Sequence, residues 1–209
     1  MTSEEKPLVG LERPPITAED LELIATPDAE LHKRVEIFSF DDELFKARIS
    51  TGDRWQQLLQ AHLYFDHVIT QLLVDALANP DAINASRMSF LQKLHLIQAL
   101  GLLPADLASI VEFINGLRNK IAHDLNFEIS DKDERDLSNC TPKRLSDIVV
   151  TDKDRDPGGP LRFPELLRIV LLQIEVIRQS HAFSRLSERK SIIRLRTVLE
   201  RTEGAIYRP

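Results

Sequence analysis

The sequence predicts an all-α protein: an antiparallel four-helix bundle with short N-terminal helices and a helical C-terminal extension. Apolar residues recur every three or four positions over several long stretches, which is the spacing of one face of a helix. Only 7 glycines and few alternations of apolar and polar residues argue against a β-sheet architecture. With 209 residues, the chain is long enough for one well-buried core and too short for two large domains.

The first 50 residues are predicted to form a flexible N-terminal lead followed by a helical arm. Residues 1–15 carry acids and prolines and are expected to form a flexible lead. Residues 16–50 are expected to form three short helices that pack on the main body. The first starts after Thr17, whose hydroxyl caps a turn rich in acids. The other two are expected over 28–37 and from Asp41 or Asp42 to Ile49.

Residues 53–182 are predicted to form the helix bundle. The dipeptide Gly52-Asp53 ends one helix and caps the next, which is expected to run to residue 78, before Asn79-Pro80-Asp81. The second helix is expected from Ser86 or Ser89 to Gly101, and the third from about Pro104 to Asp124. The connections are short, which is typical of antiparallel neighbours in a helix bundle.

Beyond Asp124 the apolar pattern is less regular. Ser130 and the acids after it predict a short polar helix, and residues 151–160 predict a loop rich in proline, glycine and aspartate. The last long helical stretch is expected to start near Phe163 or Pro164. It continues or restarts as a basic helical extension over residues 183–209.

Composition and charge limit the classes of function. The single Cys140 cannot form an internal disulfide, which favours a reducing compartment. No apolar run is long enough to span a bilayer, so we expect a cytoplasmic protein without membrane contact. The formal net charge of −6 provides no global attraction to nucleic acid, so RNA binding requires a local basic patch.

The most suggestive motif is Arg118-Asn119-Lys120-Ile121-Ala122-His123, near the end of the third bundle helix. The apolar residues of this helix fall within an arc of about 120° on a helical wheel, which predicts a core face. They are Leu107, Ile110, Phe113, Ile114, Leu117 and Ile121. Asn119 and His123 lie roughly opposite this arc and have the i, i+4 spacing of a hydrogen-bonded pair, while Arg118 lies at its edge. These polar groups either meet something outside the protomer or form an ordinary solvated helix face.

The wider context resembles the HEPN superfamily, and within it most closely the mannitol-repressor (MtlR-like) branch. The resemblance rests on a helix that ends in Ala99-Leu100-Gly101-Leu102, a short turn, the Arg118–His123 helix, and the acidic segment Ser130-Asp131-Lys132-Asp133. It covers about residues 53–137 and, more loosely, the helix after Pro164. HEPN proteins are bundles of four to five helices, which agrees with the fold class predicted above.

The resemblance implies a function. Many HEPN proteins dimerise through the helices bearing Arg–x4–6–His and are metal-independent ribonucleases of toxin–antitoxin or phage-defence systems. By this resemblance Arg118 and His123 would be catalytic, with Asn119 supporting them, in a homodimer that needs no metal or cofactor. The alternative is a non-catalytic regulator that, like the mannitol-repressor branch, acts by binding a protein partner. Both functions imply a protein partner: an antitoxin for the ribonuclease, or a regulated protein for the regulator.

Two further groups of residues have open interpretations. Lys120, Arg189, Lys190 and Arg194 are candidate RNA-binding residues, the last three in a basic run from Arg178 to Arg201 that either follows an RNA backbone or forms a solvated helix face. His62 and Asp66, four residues apart on one helix, have the spacing of a metal-ligand pair. We expect them to form a surface hydrogen bond instead.

Overall fold

The computed structural model describes residues 15–142 and 161–206, with side chains up to residue 200. Every regular element in these ranges is helical, which confirms the all-α class, while the antiparallel four-helix arrangement stays a prediction. The α-helices are α1 (Ala18–Ala25), α2 (Asp28–Val35), α3 (Asp42–Ile49), α4 (Arg54–Ala76), α5 (Phe90–Ala99), α6 (Ala105–His123), α7 (Asp131–Cys140) and α8 (Phe163–Ile206). Two short 3-10 turns, Pro80–Ala82 and Ala85–Arg87, connect α4 to α5.

Two sequence predictions concern regions without a described structure. The flexible lead over residues 1–15 lies outside the described residues except for Pro15, and so does the loop over residues 151–160. Within the described part of the chain, no helix has both the length and the hydropathy needed to cross a membrane.

Polar residues at the helix starts explain most boundaries. Asp53 caps α4, and its N–H is bound by Gln56 Oε1 at 2.8 Å. Ser89, rather than Ser86, caps α5 in a reciprocal pair of hydrogen bonds with Gln92. Ser130 and Asp133 form the same pair at the start of α7. Each cap satisfies backbone N–H groups that the first turn leaves unpaired, so the boundary follows from local sequence.

The described residues divide into two compact units, one formed by residues 32–184 and one by residues up to 31 together with residues from 185 onward. This division splits the expected 16–50 arm, because α3 belongs to the larger unit. There Phe45 and Ile49 are fully buried, and α3 packs on α4. α3 is therefore part of the main core, although its short sequence has only a modest apolar face.

The core of the larger unit is built around α4, which contacts α3, α5 and α6. Phe65, Ile69 and Leu72 of α4 are fully buried, as are Leu166 and Val170 of α8. Burying a Leu, Ile or Phe side chain stabilises a fold by roughly 1.5–3 kcal/mol each, so this set anchors the helices that carry the candidate site.

A buried ion network joins α8 to the segment before α3. Glu175 has no exposed surface, and its carboxylate accepts hydrogen bonds from the Ser39 N–H at 2.7 Å and from Arg178 Nη2 at 2.8 Å. Arg178 Nη1 also binds Asp75 at 2.9 Å. These contacts compensate the cost of burying the Glu175 charge, and they use Arg178, a member of the basic run, within the larger unit.

Candidate functional site

The candidate site lies on the last two turns of α6. Leu107, Ile110, Ile114 and Leu117 are buried, as the helical wheel predicts. Asn119 and His123 are exposed on the other side, and Arg118 is half-buried between the two faces. The amphipathic pattern of the helix thus places the polar residues of the motif on its solvent side.

Within this motif, one hydrogen bond is formed. Arg118 Nη1 donates to Asn119 Oδ1 at 3.3 Å, which directs the guanidinium group along the outer face of α6. His123 is the last residue of the helix, and in the part of the chain that the structure describes its ring has no hydrogen-bond partner. Asn119 and His123 do not bond to each other, so both remain available to a ligand or a partner.

A second histidine, which sequence reasoning did not assign to the site, lies beside it. His62 of α4 is half-buried, and its Nε2 lies 3.1 Å from Asn115 Oδ1 of α6. On the α6 wheel Asn115 falls between Arg118 and Asn119, about 60° and 40° away respectively. His62 therefore covers the same side of α6 that carries the motif. The periodicity of α6 gave no signal for this contact, because Asn115 falls about 80° outside the apolar arc, among the residues expected to face solvent.

Burial determines the charge state of His62. Loss of hydration lowers its pKa below the ordinary value of 6.5, the hydrogen bond with Asn115 opposes this, and the nearby charge of Arg118 lowers the pKa further. The Phe90 ring, 4.5 Å from the imidazole between centroids, contributes to the apolar surroundings. At neutral pH His62 is a neutral ring next to the Arg118 cation.

The expected bond between His62 and Asp66 does not form. Asp66 instead accepts two hydrogen bonds from Lys93 Nζ, at 2.8 and 3.0 Å, and Lys93 also donates to Thr70 Oγ1 at 2.9 Å. Lys93 is buried, so its ammonium group requires these partners. Among the described side chains, no three His, Cys, Asp or Glu residues lie close enough to hold a metal ion.

The four residues predicted to bind RNA lie in different settings. Lys120 is exposed, with its Nζ 5.4 Å from the centre of the Phe127 ring. Arg189 forms an ion pair with Asp20 at 2.7 Å, and Arg194 Nη2 donates to the Ile24 carbonyl at 3.3 Å. Both contacts join α8 to α1 within the smaller unit.

Lys190 is the residue whose position counts against an RNA contact. It is only 3% exposed, and its Nζ donates to the Thr26 carbonyl and to Asp28 Oδ1 at 2.6 Å. A buried ammonium group with two partners is not free to meet a phosphate, since moving it would leave the Thr26 carbonyl unpaired. RNA binding by Lys120, Arg189 and Arg194 stays a prediction.

An open groove lies beside the end of α6. Its cavity volume is about 800 Å³, and the first turn of α4 forms one wall while the segment after α6 forms the other. Residues that line it include Asp53, Trp55, Ile121, Asp124, Phe127 and Glu128. Ile121 and Asp124 lie close to His123 in the chain, so the groove adjoins the end of α6. The side chains of Arg118, Asn119 and His123 are not part of its lining.

Comparison of this chain with models of protein families, with curated proteins and with solved structures found no match. The resemblance to the HEPN superfamily thus stays a prediction that rests on the sequence segments named above.

Proposed function

We propose that this protein is a HEPN-type, metal-independent endoribonuclease that cleaves RNA at a site shared by two protomers. One observation carries the proposal: Asn119 and His123 are exposed on the outer side of α6, Arg118 at the edge of that side donates to Asn119, and the His123 ring has no partner among the described residues. Arginine can bind a phosphate and histidine can transfer protons, and both are functions that phosphodiester cleavage uses. A defence or toxin role is the biological setting that the resemblance implies.

The proposed reaction is an internal transfer at phosphorus. The ribose 2′-oxygen loses its proton to a base and forms a bond to phosphorus, while the bond from phosphorus to the 5′-oxygen breaks. The leaving 5′-oxygen takes a proton from an acid. The products are a 2′,3′-cyclic phosphate and a free 5′-hydroxyl.

Each residue has a role in this reaction. Histidine suits the proton transfers because it titrates near neutral pH, so His123 is the proposed proton carrier. Arg118 would donate two charge-assisted hydrogen bonds to the phosphate as negative charge develops there. Asn119, bound to Arg118 at 3.3 Å, would hold the guanidinium in place.

A two-fold dimer completes the site. One protomer brings a single His123, whereas the reaction uses a base and an acid. Two motif faces paired about a two-fold axis would provide two histidines and two arginines in one cleft.

The test is cleavage of labelled RNA by purified protein in the presence of EDTA. We expect a product with a 2′,3′-cyclic phosphate, and a loss of rate of about 10²–10⁴-fold for His123→Ala, the usual contribution of general acid–base catalysis. His95→Ala removes an exposed histidine of α5 and should cleave like the wild type. RNA with a 2′-deoxy substitution at the cut site should resist cleavage.

Equal cleavage by the wild type and by His123→Ala would show that His123 has no catalytic role. Loss of cleavage in EDTA, restored by a divalent cation, would contradict the metal-independent mechanism.

A second candidate function is a non-catalytic regulator that binds a protein partner. The groove beside His123 favours it, because Trp55 and Leu125 expose apolar surface there. Expression toxicity that His123→Ala relieves would support the ribonuclease. Absence of toxicity, with co-purification of a transcription or transport protein, would support the regulator.

A further inference from the structure

The groove between the start of α4 and the segment after α6, here called the α4–α6 groove, has exposed apolar side chains in its lining. Trp55 is 41% exposed, and Leu125 is fully exposed. Ile121 and Phe127 are half-buried beside them. Exposed apolar side chains gathered in one concave surface indicate a binding site, since isolated ones would be spread over the molecule.

The rim of the α4–α6 groove is acidic. Asp53, Asp124 and Glu128 line it, and Arg54 is the basic residue among the lining side chains. Arg54 is already paired with Asp131 at 2.7 Å and with Glu134. Lys120, whose Nζ lies 5.4 Å from the centre of the Phe127 ring, offsets part of the acidic charge. The three acids still give the groove net negative charge around its apolar side chains, which attracts lysine or arginine more than a phosphate backbone.

One wall of the groove includes a buried amide. Gln57 lines the groove and is 9% exposed. Its Nε2 donates to the Gly52 carbonyl at 3.1 Å, while its Oε1 is buried without a partner among the described residues. The Nε2 contact ties the start of α4 to the turn before it, and so helps to fix this wall of the groove.

We propose that the α4–α6 groove binds a basic, apolar segment of a partner protein, such as one face of an amphipathic helix. Apolar side chains of the segment cover Trp55 and Leu125, and its lysine or arginine residues face Asp124 and Glu128. Helices that place apolar residues in a groove and charges at its rim are a common recognition mode. Binding does not depend on the proposed cleavage reaction, and His123 is not among the residues that line the groove.

The fluorescence of Trp55 reports occupancy of the α4–α6 groove directly, because Trp55 is the single tryptophan of the chain. The probe is a synthetic helical peptide of leucine and lysine, free of tryptophan and tyrosine, and the matched peptide carries glutamate in place of lysine. The full-length protein is titrated with each while Trp55 emission and its quenching by acrylamide are recorded. We expect the lysine peptide to shift the emission to shorter wavelength and protect Trp55, and the glutamate peptide to do neither.

Variants test the contacts. Leu125→Gln and Glu128→Lys are each expected to weaken binding of the lysine peptide by about tenfold, the effect of losing one central contact. Leu125 is fully exposed, so its replacement leaves the fold intact. The controls Leu63→Gln and Glu112→Lys change an exposed leucine and an exposed acid outside the groove and should bind like the wild type.

Four results would overturn the proposal. They are equal binding of the two peptides, a Trp55 already protected from acrylamide in the free protein, equal weakening by the control variants, and stronger protection by single-stranded RNA than by the lysine peptide. The second would mean that this chain or another copy of it fills the groove, and the fourth that nucleic acid does. His123→Ala should bind the peptide normally, so failure of this proposal and failure of the ribonuclease proposal are separate results.

Discussion

His62 shows how a single contact between helices changes the chemistry of a side chain. On its own helix it is a polar residue one turn from Asp66, with the spacing of a surface pair. In the fold it lies against Phe90 and binds Asn115 instead. Burial lowers its pKa, and the Arg118 cation lowers the pKa further, so the neutral form is favoured next to the candidate site. The neutral ring therefore adds no charge of its own beside Arg118.

The lowered pKa makes stability depend on pH. The unfolded chain takes up a proton at His62 near pH 6.5, while the folded protein takes it up only at a lower pH. The contribution of His62 to stability is therefore complete above 6.5 and is lost as the pH falls from there through the folded-state pKa. His62→Gln keeps an amide donor for Asn115 without the titration, so its stability should fall less than that of the wild type between about pH 7.5 and about pH 5.5.

Urea unfolding at the two pH values measures this difference. His95→Gln, which replaces an exposed histidine of α5 outside this contact, is the control. The same pH dependence in His62→Gln and wild type would show that the ring is not buried in its neutral form. The charged groups near the ring are Arg118, Asp66 and Lys93, and all three are retained in the variant.

At the scale of elements, two glycines near the site differ in what the structure requires of them. Gly52, before α4, has φ +81°, a left-handed conformation that glycine adopts without strain. A Cβ there would overlap Gln56 Oε1, the atom that caps the Asp53 N–H. Gly116 lies inside α6, and a Cβ at that position would meet nothing within 4 Å. One glycine is required by the backbone, and the other only lowers helix propensity.

Alanine at these two positions should have opposite effects. Gly52→Ala is expected to lower the free energy of unfolding by about 1–2 kcal/mol, because of backbone strain and the disturbed cap. Gly116→Ala is expected to raise it by about 0.5–1 kcal/mol, because alanine restricts the unfolded chain and favours the helix. Chemical denaturation of both variants measures the two values. Destabilisation by Gly116→Ala would indicate that the α6 surface is more crowded than the structure shows.

At the scale of the whole molecule, basic residues of α8 form ion pairs that stabilise each of the two units. Arg178 belongs to the buried network of Glu175 in the larger unit. In the smaller unit, Arg189 and Lys190 hold the N-terminal residues Asp20 and Asp28. A basic stretch in sequence is therefore not a continuous basic surface here. The proposed RNA substrate has to be held mainly near α6, where Arg118 and Lys120 lie.

The proposed shared cleft predicts the behaviour of mixed protomers. Wild type and His123→Ala are mixed in varying proportions and their subunits are exchanged, which native mass spectrometry verifies. A heterodimer holds a single His123 in its cleft and so lacks either the base or the acid. Its cleavage rate should lie close to that of the His123→Ala dimer, so total activity should fall as the square of the wild-type fraction. Activity that falls in direct proportion to the wild-type fraction would contradict a shared site.

Local patterns in the sequence were sufficient for most helix boundaries. Asp53 and Ser130 carry capping signals in their own neighbourhood, and both helix starts are confirmed. The exposure of Asn119 and His123 also follows from the period of the apolar residues in α6. Local interactions determine these features, so they could be predicted without knowledge of any neighbouring helix.

What the sequence by itself determined is the all-α class, the course of α6, and the outward position of the Arg118-to-His123 motif. Only the tertiary structure decided that α3 belongs to the main core, that Lys190 is buried, and that His62 binds Asn115 rather than Asp66. The physical reason is that helix period and capping act within one element. Burial, hydrogen-bond choice and pKa depend on which helices meet. The motif is thus a local feature, and its surroundings, including the acidic groove beside it, come from the packing of α4 against α6.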